Sequence, residues 1–130
     1  MARITATFRV EECAGQSRAG RQLVRLLEPV FYHVGAEDSD VVVMVPVGFE
    51  TDFASVPRLA RGLIPSLGPW ARPAIIHDYL YYSGGDWGRF TRLECDRIFL
   101  EAMEVVKVPA WQRTIMFRAV RIGGGGGWGS

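Results

Sequence analysis

Residues 70–82 read WARPAIIHDYLYY, and this stretch decides the fold. Pro73 falls in the first turn, where a helix has no N–H partner to lose. His77 and Tyr81 stand four residues apart and so share a helix face. Ser83-Gly84-Gly85 closes the segment, and the spacing predicts a helix over 70–82. Toward the C-terminus, Thr91 followed by Glu94 is a capping box that opens a second helix. Leu93, Ile98 with Phe99, and Ala102 supply its apolar stripe, which ends near Val105. Pro109 opens a third helix, in which Trp111, Ile115, Ala119 and Ile122 recur at helical spacing. Arg113, Arg118 and Arg121 fall on its solvated side, and Gly123 to Gly127 stops it.

Toward the N-terminus the periodicity changes. Ile4, Ala6, Phe8 and Val10 alternate with Arg3, Thr5, Thr7 and Arg9, the period-two pattern of a half-buried strand. Residues 15–20 read as a polar turn. Residues 22–27 and 30–34 read as short strands, 35–40 as another turn, and the apolar run 41–45 as a buried strand. About four strands on short connections predict an antiparallel sheet or small barrel. Between strands and helices, residues 47–69 carry VGFETDFASVP and then Pro65, Pro69, Gly62 and Gly68. That pattern predicts an irregular connection, with one short helix around 58–63. The expected class is α+β in a single domain: strands over 1–46, a Pro/Gly-rich loop over 47–69, helices over 70–122 and a glycine-rich tail over 123–130.

Composition narrows the function classes. A formal charge of +1 gives no bulk attraction to nucleic acid or to an anionic membrane. The longest apolar runs are too short to span a bilayer, and the N-terminus lacks the tripartite pattern of a signal peptide. Cys13 and Cys95 form no CxxC, so neither a disulfide framework nor a cysteine-based zinc site is expected.

The candidate chemistry lies on the first two helices. A short connection favours antiparallel packing, so Asp96 can accept a hydrogen bond from one nitrogen of His77. The other nitrogen is then the one that takes a proton from water. Asp78, adjacent but pointing elsewhere, is available to a metal ion.

The strings TDFASVP and HDYLYY, with a following helix containing CDRIFLEAM, resemble the signature of a small uncharacterised family of tailed phages and prophages. The resemblance runs roughly from residue 45 to 127 and implies a phage origin without an activity. It also implies a place in the cytoplasm of the infected bacterium or in the virion, with phage structural proteins as partners. HDYLY is further similar to the His-Asp helix of phospholipases A2, and CDRIF to the start of their second catalytic helix. That resemblance implies water activation by His77, orientation of His77 by Asp96, a hydrogen bond from Tyr81 to Asp96, and calcium held by Asp78. A lipid or other ester is the substrate it implies. The glycine-rich calcium loop of those enzymes has no match here, and Asp52 or Glu50 would have to supply the missing oxygen ligands. Leu80 stands where their bridging cysteine falls, which leaves Cys95 unpartnered.

Plainer readings stand beside these. A His77–Asp96 pair can simply tie two helices together, and Asp78 can pair with Arg72 or Arg97. Asp52 and Ser55 can cap a turn. Tyr79, Tyr81 and Tyr82 can be core and rim packing. Trp87 and Trp128 can serve an interface or anchor the tail. Three functions remain open: a His–Asp ester hydrolase, a non-enzymatic virion, tail or host-interaction protein built on the same helix pair, and a metal-dependent hydrolase of another substrate class with His77, Asp78 and Asp96 converging as direct ligands.

Overall fold

Alternation and helical spacing resolve into strands followed by helices, an α+β architecture. The computed structural model describes residues 3–5, 9–18, 21–52, 70–125 and 128. The strands are β1 (Val10–Arg18), β2 (Arg21–Leu26), β3 (Val30–His33), β4 (Val42–Val45) and β5 (Glu50–Thr51). They form two antiparallel sheets rather than one, with orders β1-β2-β5 and β3-β4. Among the described residues three longer α-helices follow, α1 (Ala71–Tyr82), α2 (Arg92–Val105) and α3 (Ala110–Gly123), with a five-residue helical turn, Gly84–Gly88, between the first two. The helix expected around 58–63 lies outside the described residues.

Two strand expectations change. Residues 15–18, read as a turn, belong to β1, because Ser17 and Arg18 pair with Gln22 and Arg21. Ladder hydrogen bonds there outweigh the local turn preference of a polar, glycine-bearing stretch. The run at 41–45 is half-buried rather than buried: Val43 and Val45 face the core, while Met44 faces outward. At the N-terminus, Ile4 bridges Tyr32 and the Thr5 N–H donates to the Phe31 carbonyl at 3.0 Å, so Arg3 to Thr5 run along β3.

Arg25 lies opposite Glu11 on one side and Glu50 on the other, and donates to both, at 2.7 and 2.8 Å. This cross-strand ladder fixes the short strand β5, which carries Thr51. The buried cluster joins Leu26, Val30, Tyr32, Val43 and Val45 from the strands to Ile75, Ile76 and Leu80 of α1 and Phe99 and Met103 of α2. Each such side chain contributes roughly 1.5–3 kcal/mol on full burial. Tyr32 and Arg3 both donate to Glu101, which ties β3 to α2.

The capping box is present: Thr91 Oγ1 accepts from the Glu94 N–H at 3.1 Å and Glu94 Oε1 from the Thr91 N–H at 2.8 Å. Leu93, expected in the stripe of α2, is instead exposed, and Cys95, Asp96, Ile98, Phe99, Ala102 and Met103 make the buried face.

Helix α3 presents the face opposite to the expected one. Met116 and Val120 are buried, whereas Trp111, Ile115 and Ile122 are exposed. Two of its arginines also turn inward: Arg113 donates to the Val108 carbonyl at 2.8 Å and Arg121 to Asp96 at 2.7 Å.

Between α1 and α2 the chain makes one left-handed turn, with positive φ from Gly84 through Gly88, including Asp86 and Trp87 at 58°. Ser83 Oγ accepts from the Asp86 N–H at 2.9 Å and anchors its start. At Gly85 (φ 83°) a Cβ would stand 1.9 Å from the Phe90 carbonyl oxygen, whereas at Gly88 (φ 91°) it would meet open space. Gly85→Ala is therefore expected to cost about 1–3 kcal/mol in thermal unfolding, and more than Gly88→Ala, which carries backbone strain alone. Equal losses would assign the whole cost to backbone strain.

Candidate active site

Helix α1 places His77 and Tyr81 one turn apart on its buried side, and α2 brings Asp96 against both. Asp96 Oδ1 lies 2.7 Å from His77 Nε2 and accepts the Tyr81 hydroxyl at 2.7 Å. Asp96 Oδ2 accepts from Arg121 Nη1 at 2.7 Å. All three expected residues, His77, Tyr81 and Asp96, thus meet at one carboxylate, and all three are buried.

The electrostatics assign the protons. Burial alone would push the Asp96 carboxyl up. Hydrogen bonds from His77, Tyr81 and Arg121 outweigh burial and hold it below the usual carboxylate range. An ionised Asp96 only accepts, so the Nε2–H belongs to His77. Burial, and then the bond and charge of Asp96, push the Tyr81 phenol upward, so it remains a donor. Burial pushes the neighbouring Cys95 thiol up to about 12, with the Asp96 charge adding to the effect. Cys95 therefore stays a thiol and offers no nucleophile near neutral pH.

Aromatic rings fix the imidazole from both sides of the helix pair. Its centroid lies 4.3 Å from that of Tyr81 and 4.6 Å from that of Phe99. Arg92 Nε donates to the Tyr81 oxygen at 3.1 Å, and its Nη2 donates to the carbonyls of Val120 and Arg121 at 2.9 Å. A cation at those carbonyls complements the negative end of α3. The tail packs here as well, with the Trp128 ring edge-on to Tyr81 at 5.3 Å.

Asp78 leaves the helix on another side. Its Oδ2 accepts the Thr51 hydroxyl of β5, rather than pairing with Arg72, which donates to the Thr5 carbonyl at 2.5 Å. The strings TDFASVP and HDYLYY therefore touch in space through Thr51 and Asp78. Asp52 follows Thr51 and is buried. The remainder of the TDFASVP string, including Ser55, lies outside the described residues. Among the described residues no three His, Cys, Asp or Glu side chains are grouped to hold a metal ion. Neither Asp78 nor Asp52 belongs to such a group among the described residues.

Sequence reading missed Arg121, Arg92, Phe99 and Thr51. Thr51 lies inside a quoted motif, which was its only local signal. Arg121 stands 25 residues from Asp96, and no short-range pattern announces such a pairing.

The family DUF1353, described as a protein of unknown function, matches residues 24–120. The chain belongs to DUF1353. The DUF1353 span runs from Val24 on β2 to Val120 on α3 and takes in Thr51, His77, Asp78, Tyr81, Arg92 and Asp96, with Arg121 one residue beyond it. No curated protein and no solved structure matches the chain. No helix among the described residues is long and apolar enough to cross a membrane.

Proposed function

We propose that this DUF1353 chain is a phage-encoded hydrolase in which His77, oriented by Asp96, activates water against an ester of the lipid class. One observation carries the reading: a single buried carboxylate receives both the His77 Nε2–H and the hydroxyl of Tyr81, one helical turn on. These are the roles that the phospholipase A2 resemblance implies for the same three positions. With Nε2 committed to Asp96, Nδ1 is the proton acceptor the chemistry requires. Water would lose a proton to Nδ1 as its oxygen bonds to the ester carbonyl carbon. The imidazolium so formed is stabilised by Asp96, and it returns the proton to the alkoxide as the tetrahedral adduct re-forms its carbonyl and the ester C–O bond breaks, releasing alcohol and acid. Tyr81 and Arg121 hold the carboxylate in place throughout. The phage assignment rests on the strings TDFASVP, HDYLYY and CDRIFLEAM. A phage origin would put the protein in the cytoplasm of the infected bacterium or in the virion.

A second reading has its own observation. His77 is fully buried between two aromatic rings, and Arg121 already neutralises part of the Asp96 charge that would steady an imidazolium. Both facts favour a non-enzymatic virion, tail or host-interaction component in which the network ties α1, α2 and α3 together.

Turnover of a 4-nitrophenyl ester and of phospholipid vesicles separates the two, with and without calcium. The hydrolase reading expects activity in the wild type and a loss of at least ~10²-fold in His77→Gln, with unchanged circular dichroism. A folded wild type inactive on both substrates, with calcium and without, leaves the structural reading. Calorimetric calcium titration of the wild type and Asp78→Asn checks the metal separately: heat only in the wild type assigns calcium to Asp78.

A further inference from the structure

Helix α3 carries two apolar faces, and among the described residues only one of them packs into the core. Met116 and Val120 enter the core. On the opposite side Trp111, Ile115 and Ile122 are 57%, 37% and 88% exposed. With Arg118, also exposed, they stand four, three and four residues apart. That is heptad spacing, the spacing of a seam that packs against another helix. Arg118 makes no hydrogen bond or ion pair to any described residue, and no Asp or Glu follows Glu104 in the sequence. The segment from Lys107 to Arg121 holds Lys107, Arg113, Arg118 and Arg121, of which only Arg121 meets a carboxylate among the described residues.

We infer that the outer seam of α3 docks an acidic amphipathic helix of a protein partner. Three occupants could cover an apolar helix face, and charge and width choose among them. In a second copy packed antiparallel, the palindromic spacing would set each Arg118 opposite the other copy's Ile115, so the two guanidiniums flank the crossing point within about one helical turn of each other. Neither α3 holds a carboxylate to offset them, so self-pairing is opposed. A lipid surface favours a broad apolar face, whereas this seam is one residue wide and flanked by Gln112 and Thr114. A partner helix with leucine or isoleucine along its seam and glutamate beside it fills the row. It also supplies the charge that Arg118 lacks. This docking is independent of whether His77 turns over an ester, since none of the seam residues touches the Asp96 network.

The test uses the full chain and two synthetic helical peptides with the same isoleucine/leucine heptad seam, one with glutamate and one with lysine at the flanking positions. Trp111 fluorescence and anisotropy report binding. The expected result is saturable binding of the glutamate peptide, at least about tenfold weaker binding of the lysine peptide, and a similar loss in Ile122→Glu and in Arg118→Glu. Because Ile122 and Arg118 are exposed, both variants should keep the wild-type melting temperature, which separates lost docking from lost folding. Equal affinity for the two peptides, or none for either, overturns the inference. So does a dimer in sedimentation that Ile122→Glu dissolves, which makes a second copy the occupant. Co-sedimentation with phosphatidylglycerol vesicles in the absence of glutamate-peptide binding also overturns it, in favour of lipid.

Discussion

Asp96→Asn is expected to cost about 3 kcal/mol and Asp96→Ala about 5 kcal/mol in denaturant unfolding, the two ends of the range for removing one partner of a buried ion pair. The asparagine keeps an oxygen for His77 and Tyr81, but it turns an NH2 toward the Arg121 guanidinium, donor against donor. Arg121 keeps 32% of its side chain in contact with solvent and can rehydrate, which holds this cost to the lower end. Alanine in addition leaves the buried His77 and Tyr81 donors without their acceptor, at roughly 1–3 kcal/mol each. The pH dependence has a definite sign. The folded carboxyl is held below its ordinary range, so the unfolded chain binds the proton more readily. The contribution of Asp96 is then fully present above its unfolded value of about 3.9 and is lost as pH falls through the lower folded value. The stability gap between wild type and Asp96→Asn should therefore narrow below about pH 4. A gap constant from neutral to acid pH would show that Asp96 carries no charge in the fold.

The helix pair was readable because its signals are local. A capping box needs only Thr91 and Glu94, and a shared face needs only the four-residue step from His77 to Tyr81. Asp96 could be placed opposite them because the connection is short. What faced outward on α3 was not readable, because that helix has two stripes of apolar residues and periodicity cannot rank them. Met116 and Val120 face inward because Arg92, bonded to the carbonyls of Val120 and Arg121, fixes that end of α3 against the Tyr81–Asp96 pair. The stripe of Trp111, Ile115 and Ile122 then has to face outward. The left-handed turn was marked by Gly84 and Gly85, and Asp86 tolerates that region, but nothing in Trp87 foretells a positive φ. Ser83, through its bond to the Asp86 N–H, and the Phe90 N–H on the Gly85 carbonyl at 2.9 Å impose it. The contact between Thr51 and Asp78 joined two strings already singled out, yet only the pairing of β5 with β2 brings them together.

Phe99→Ala is expected to destabilise the protein by about 3–5 kcal/mol, the sum of the lost transfer energy and the cavity left behind. The upper part of that range applies here. Phe99 is fully buried at the middle of α2, and the surrounding helices are held by the Asp96 network and by Glu101, so they can collapse little into the space. Phe99→Leu retains most of the volume and should cost only about 1–2 kcal/mol. It removes the ring that lies 4.6 Å from the imidazole at an interplanar angle of 33°, and so loosens His77 without unfolding the pair. A group that moves a proton in the rate-limiting step is sensitive to orientation in a way that a structural tie is not. If His77 is the base, ester turnover in Phe99→Leu should fall roughly tenfold or more through kcat with little change in KM, while the melting temperature moves by only a few degrees. A variant that loses this stability and keeps full kcat removes the imidazole from the chemistry and leaves it as packing.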